Sequence, residues 1–202
     1  MTGLPILIEG SAVRALVVGG GSVAARKTMA LLDAGAHVRV VAPDIAEPLR
    51  NCATHGRLEL VTRRYVPSDI GDAQLVVAAT DDRGVNAAVA SDARAAGRLV
   101  NVADAPGDGS FSTMATHRHG ALIVGVSAGG VPSAAARIRD AIAMRFDARY
   151  ASALAELSAL RRRMLDDGEG ESWRRRAATV VDERFCEAVE SGELATRVSA
   201  WR

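Results

Sequence analysis

The sequence predicts a doubly wound α/β fold, a parallel sheet with helices on both faces, followed by a β-hairpin and a run of helices. Three observations carry this expectation. A glycine-rich stretch, VVGGGSVAARK (residues 17–27), lies between an apolar β-rich run and a helical pattern. The strand, the helix and the next strand fit within about thirty residues, the size of a βαβ unit whose crossover makes the strands parallel. Later, QLVVAA (residues 74–79) is an unbroken apolar run suited to a strand buried on both faces.

The remaining elements follow in order. Residues 12–18 read as the first strand, and 23–34 carry apolar side chains at helical spacing up to Gly35, a natural end for a helix. A strand at 37–41 closes at Ala42-Pro43. A helix at 45–54 leads to a strand at 58–62. After the strand at 74–79, an Ala-rich helix at 83–96 ends at Gly97, and 99–102 is the next strand. Beyond Asp104 the alternation stops. Residues 110–116 and 121–127 are strand-like and joined by His117-Arg118-His119-Gly120, which predicts a hairpin. From Pro132 onward the pattern is helical, at 134–146, 150–165 and 172–190, with an acidic, glycine-containing link at 166–171. The expected organisation is a nucleotide-binding domain at 1–112, a hairpin-plus-helix region at 113–148, and a helical region at 149–202.

Composition narrows the function. Lys and Arg number 25 against 24 Asp and Glu, and aromatics make up 3%. Neither a basic surface nor stacking platforms are in prospect, so no nucleic-acid partner is expected. Cys52 and Cys186 stand alone, without zinc or CxxC spacing, which predicts a reducing, cytoplasmic setting. No signal peptide is read at the start, and no apolar run approaches the ~20 residues of a membrane helix.

Gly19, Gly21 and Ala24 match G-x-G-x-x-G/A in its required context, after a strand and opening a helix. In a Rossmann-type unit the first glycine permits the tight turn, and the second lets the backbone approach a pyrophosphate. The third position keeps helix and strand close, and the helix N-terminus offers N–H groups to the anion. The acid expected on the ribose at the end of the second strand is missing, and Asp44, beyond Pro43, is the nearest. Arg39 could contact a 2′-phosphate, but it shares a strand face with Val41; NAD is favoured over NADP.

Several motifs occur together in this order: LPILIEG, VVGGGSVAARK, AGAHVRVVAP, LVVAATDD with Asn86, VNVADAP, and VGVSAGGVPS with Arg137. Over about residues 4–145 the chain resembles the precorrin-2 dehydrogenase/sirohydrochlorin ferrochelatase family, the amino-terminal module of siroheme synthases. The fused methyltransferase module of many siroheme synthases is not expected within these residues. The resemblance implies NAD-dependent oxidation of precorrin-2 to sirohydrochlorin, followed in some members by insertion of ferrous iron as a substrate. It also implies a homodimer built on an extended sheet at the hairpin region, with the tetrapyrrole cleft near the subunit interface.

The resemblance assigns the catalytic aspartate of the NVxDAP motif to Asp104. The residues agree in part, since Asp104 lies just past the carboxyl end of a predicted strand, where open α/β sheets place ligands. The alternative is an aspartate capping a turn before Pro106. Ser22 and Val23 correspond to loop contacts with the cofactor, Pro43 and Asp44 to its adenosine end. Thr80 and Asp81 should border the nicotinamide side, while Asp81 or Asp82 could instead cap the helix that follows. The substrate carries eight carboxylates, so Lys27 and Arg137 are candidate contacts, with Ser127 beside them in the family pattern; solvated helix charges are the alternative for both cations. His117 and His119 read as a surface turn, and no metal site is expected. The arginine runs 161–163 and 174–176 read as solvent-facing.

Three positions depart from the family. Met114 stands where many relatives have proline, and His119 where an arginine is common. Ala128 replaces a serine that is phosphorylated in some relatives, so that control is not expected. The first two changes bear on tetrapyrrole recognition and iron insertion more than on NAD. Two other readings stay open: a dimeric NAD- or tetrapyrrole-binding module without turnover, and an oxidoreductase of the same fold with another substrate.

Overall fold

The structure is a computed structural model that describes residues 3–52, 56–199 and 201. It divides into two compact units, residues 1–113 and 114–202.

The first unit is built on five parallel strands: β1 (Arg14–Val18), β2 (His37–Ala42), β3 (Leu58–Thr62), β4 (Leu75–Ala78) and β5 (Leu99–Val102), in the order β3-β2-β1-β4-β5. Between them lie α1 (Ser22–Asp33), α2 (Glu47–Cys52) and α3 (Arg83–Ala95). Strand alternation assigns each residue to a face. Val17, Val38, Val40 and Val77 join Ala24, Leu32 and Leu49 in one core. Leu16, Val18, Val76, Val100 and Val102 join Val89, Ala90 and Ala93 of α3 in the other. Val17 and Val76 are fully buried, as the continuous apolar runs require. The expected doubly wound sheet is therefore present.

The boundaries shift only at element ends, apart from α2. Pro48 allows the helix to start at Glu47, and the predicted end at Thr54 lies outside the described residues.

The second unit opens with an antiparallel hairpin of β6 (Ala115–His119) and β7 (Leu122–Val126), followed by α4 (Pro132–Arg145), α5 (Ala148–Asp166), α6 (Gly170–Val180), α7 (Phe185–Ser191) and α8 (Glu193–Ser199). Two expectations are corrected here. Residues 110–114 are not a strand, and His117, Arg118 and His119 belong to β6 rather than to the turn. His119 pairs with Leu122, so the turn is Gly120-Ala121, with Gly120 at φ 56°. The Ser110 hydroxyl instead accepts from the Val100 N–H at 2.8 Å, and the Phe111 carbonyl accepts from Asn101 Nδ2 at 3.0 Å, which holds this segment along β5. The predicted helix at 172–190 is broken as well. Asp182 accepts from the Arg184 N–H through its side chain at 2.9 Å, a local turn that ends α6 before α7 begins.

Hairpin and helices share one core in this unit. Tyr150, Leu157, Leu160, Val180, Val189 and Val198 are buried together, with Leu122, Phe146 and Trp173 packed against them. The Tyr150 hydroxyl donates to Glu190 Oε1 at 2.7 Å, and the same oxygen pairs with Arg145 Nε at 2.7 Å.

Candidate cofactor crevice

Strand order reverses at β1: β2 lies on one side and β4 on the other, which opens a crevice at their carboxyl ends. The glycine loop fills the exit from β1. Gly19 has φ 128°, and a Cβ there would lie 2.1 Å from the Ala79 carbonyl oxygen. A Cβ on Gly20 would lie 1.9 Å from the Asp44 carbonyl oxygen. Both glycines are demanded by the fold.

Gly21 is different. Its φ of −82° suits any residue, and a Cβ there would meet nothing within 4 Å. It stands at the N-terminus of the 12-residue α1, where no side chain caps the helix. Unpaired N–H groups, the helix dipole and open space above a glycine together fit a pyrophosphate. Ser22 and Val23 of the first turn are exposed, whereas Ala24 is fully buried against the sheet. The Pro43-Asp44 turn is exposed at the end of β2 and tied to the loop, because the Ala46 N–H donates to the Gly20 carbonyl at 2.9 Å. Arg39 is engaged elsewhere, its Nε 2.8 Å from Glu59 Oε2 across the β2–β3 pair.

On the β4 side, Thr80 is half-buried and Asp81 exposed. Asp82 is the cap of α3, accepting from the N–H groups of Gly84 and Val85 at 2.8 and 3.2 Å. The capping alternative thus holds for Asp82.

Beyond β5, Asp104 keeps 32% of its side chain exposed, with Oδ2 3.5 Å from the Arg83 Nε. Its Oδ1 accepts from Asn86 Nδ2 at 2.9 Å. The first unit therefore brings together the glycine loop and the Pro43-Asp44 turn, and joins Thr80 to Asp104 through Asn86. A partly exposed carboxylate fixed at one oxygen can accept a proton with the other.

Lys27, one turn into α1, is half-buried, and desolvation with the nearby Arg26 lowers its pKa from the ordinary lysine value. In the second unit, Ser127 directly follows β7 and Arg137 lies on α4; both are exposed.

The sequence reading names Asn86 only within a family motif and gives neither it nor Arg83 a role at the site. The signal for Asn86 is present nonetheless: α3 buries Asn86, Val89, Ala90 and Ala93, so an amide occupies a place in an apolar stripe. Among the described residues no cluster of three or more His, Cys, Asp or Glu side chains could hold a metal ion. No described helix is long and apolar enough to cross a membrane.

The first unit has the architecture of a Rossmann-type dinucleotide-binding domain. Residues 6–115 match the family model described as "Putative NAD(P)-binding", and the chain belongs to that family. Siroheme synthase from Pseudomonas entomophila is 42% identical over 163 residues, 81% of this chain and 35% of that protein. Siroheme synthase from Chromobacterium violaceum is 44% identical over 147 residues, 72% of this chain and 31% of that protein. The chain thus spans about a third of the length of these relatives. The resemblance read from the motifs is borne out by them. Among solved structures, SirC, precorrin-2 dehydrogenase, superposes with a TM-score of 0.78 at 23% identity, covering 98% of this chain and 99% of that one. That likeness establishes a shared fold.

Proposed function

We propose that this chain is an NAD-dependent dehydrogenase that oxidises precorrin-2 to sirohydrochlorin, as a homodimer in the cytoplasm. The observation that carries the reading is Asp104, a carboxylate beyond β5 linked through Asn86 to the loop bordering the crevice. The names of the relatives, siroheme synthase and precorrin-2 dehydrogenase, support the substrate.

NAD supplies a hydride acceptor when bound. Gly19, Gly21, Ser22 and Val23 would hold its pyrophosphate, Pro43 and Asp44 its adenosine end, and Thr80 and Asp81 would border its nicotinamide. Asp104 would accept the proton that the substrate gives up as it is oxidised. In the first unit, Lys27 would meet substrate carboxylates. The same carboxylate would take pyrrole protons if ferrous iron enters the product as a substrate.

Residues 113–148 would form the dimer contact. Among the described residues each strand of the two-stranded β6–β7 sheet has an unpaired outer edge, and Ile138 and Met144 of α4 are 48% and 83% exposed.

The test is anaerobic: the protein, NAD and enzymatically generated precorrin-2, with NADH and the sirohydrochlorin spectrum followed together before ferrous iron is added. The two signals rise in step in the parent. Asp104→Ala stops both while NAD affinity stays near the parent value. Precorrin-2 unchanged while NAD binds would leave a binding module or a dehydrogenase of another substrate.

A further inference from the structure

Asn86 is 1% exposed, and its side-chain amide has every hydrogen-bonding position filled. Nδ2 donates to the Thr80 carbonyl at 3.0 Å and to Asp104 Oδ1 at 2.9 Å. Oδ1 accepts from the Thr80 N–H at 3.0 Å and the Thr80 hydroxyl at 2.8 Å. The orientation is fixed by the neighbours, because a flipped amide would set an N–H against the Thr80 N–H and an oxygen against a carboxylate.

Arg83, the other partner of Asp104, contrasts with this. Its side chain is 85% exposed and reaches Oδ2 only at 3.5 Å, a contact that solvent and long-chain entropy weaken.

We propose that Asn86 is a positioning residue for Asp104: its buried amide fixes Oδ1 and leaves Oδ2 as the oxygen that takes the proton. The proposal rests on the reading of Asp104 as the proton acceptor. A buried amide suits the task because it donates at every working pH and carries no charge. By also binding Thr80, it sets the distance between the loop after β4 and the carboxylate after β5. Of the charged side chains nearby, Arg83 meets Oδ2, and the carboxylate of Asp82, at the start of the same helix, is occupied by the α3 cap.

Asn86→Asp separates positioning from support. The substituted carboxylate still accepts from the Thr80 N–H and hydroxyl, but it no longer donates to Asp104 or to the Thr80 carbonyl. The expected result at about pH 8 is kcat down roughly thirtyfold, because of the two lost donations the one to the charged Asp104 reaches the reacting carboxylate. KM and the NAD dissociation constant stay within about threefold of the parent. The deficit shrinks as pH falls toward about 6, because two adjacent carboxylates share a proton and the shared proton restores the missing donation. Equal losses in kcat and NAD affinity, or a deficit that does not change with pH, would overturn the proposal.

A second readout needs no substrate. In ¹H–¹⁵N spectra of the whole chain, Asp104→Ala shifts one Asn86 side-chain proton upfield and leaves its partner in place. An Asn86 signal indifferent to Asp104→Ala would sink the inference. A parent that ignores precorrin-2 while this shift appears would instead sink the functional reading.

Discussion

Gly19, Gly20 and Gly21 are adjacent and chemically identical, yet their surroundings assign them opposite uses. A methyl on Gly20 meets the Asp44 backbone, and one on Gly19 meets Ala79 in a left-handed backbone as well. Gly20→Ala should therefore destabilise the fold by roughly 1–3 kcal/mol, seen in urea unfolding without cofactor. Gly21→Ala should leave that unfolding curve in place and weaken NAD binding by about tenfold or more by titration calorimetry, because only a ligand occupies the space the methyl enters. Equal effects of the two substitutions on stability would contradict this division. The motif was legible as a pattern of types and spacing. Which glycine is closed in by the fold and which faces open space depends on residues 44 and 79, far away in sequence. Asn86 makes the same point, since its stripe position is visible in the chain but its partners, Thr80 and Asp104, are assembled only by the sheet.

Among the elements, the 3-10 turn Pro67–Ile70 leading to β4 holds a buried charge that the sequence reading passes over. Asp69 has 4% of its side chain exposed and takes two bonds from Arg63, at 2.5 and 2.7 Å, with a third from the Val66 N–H at 2.9 Å. Hydrogen bonding to Arg63 is the main cause holding its pKa below the ordinary carboxylate value, against the opposing effect of burial. A carboxyl depressed in the folded state adds stability above its unfolded pKa and loses it as pH falls through the folded one. Thermal midpoints measured downward from about pH 5 should therefore fall more steeply for the parent than for Asp69→Asn. At neutral pH the variant should melt roughly 5 °C lower. Parallel curves for the two proteins would show that Asp69 is not the linked group.

The hairpin illustrates the opposite failure at this scale. Alternation marked residues 110–116 as a strand, but Ser110 and Phe111 are bound to β5, and the register slid until Gly120 became the turn. His117 consequently faces the Phe146 carbonyl at 2.6 Å within its own unit.

In the molecule as a whole, the first unit has a sheet covered on both faces and a ligand crevice at one end of its strands, so ligand binding and folding are linked there. NAD at about one hundred times its dissociation constant should stabilise the first unit by about 2.7 kcal/mol. Hydrogen exchange would read this as slower exchange at the buried amides of Val17, Val77 and Val100. Unchanged exchange at saturating NAD would place the cofactor elsewhere.

By itself the sequence determined the α/β class and the glycine loop, because each is a local signal of spacing, periodicity or turn chemistry within some thirty residues, whereas Asp104 was singled out only by resemblance to a family motif. Only the tertiary structure decided that Asp82 is a cap, that Arg39 is spent on Glu59, where the hairpin turns and what holds Asp104. Those outcomes depend on which distant groups a buried donor or acceptor meets, and a buried polar group must find a partner wherever the chain places one.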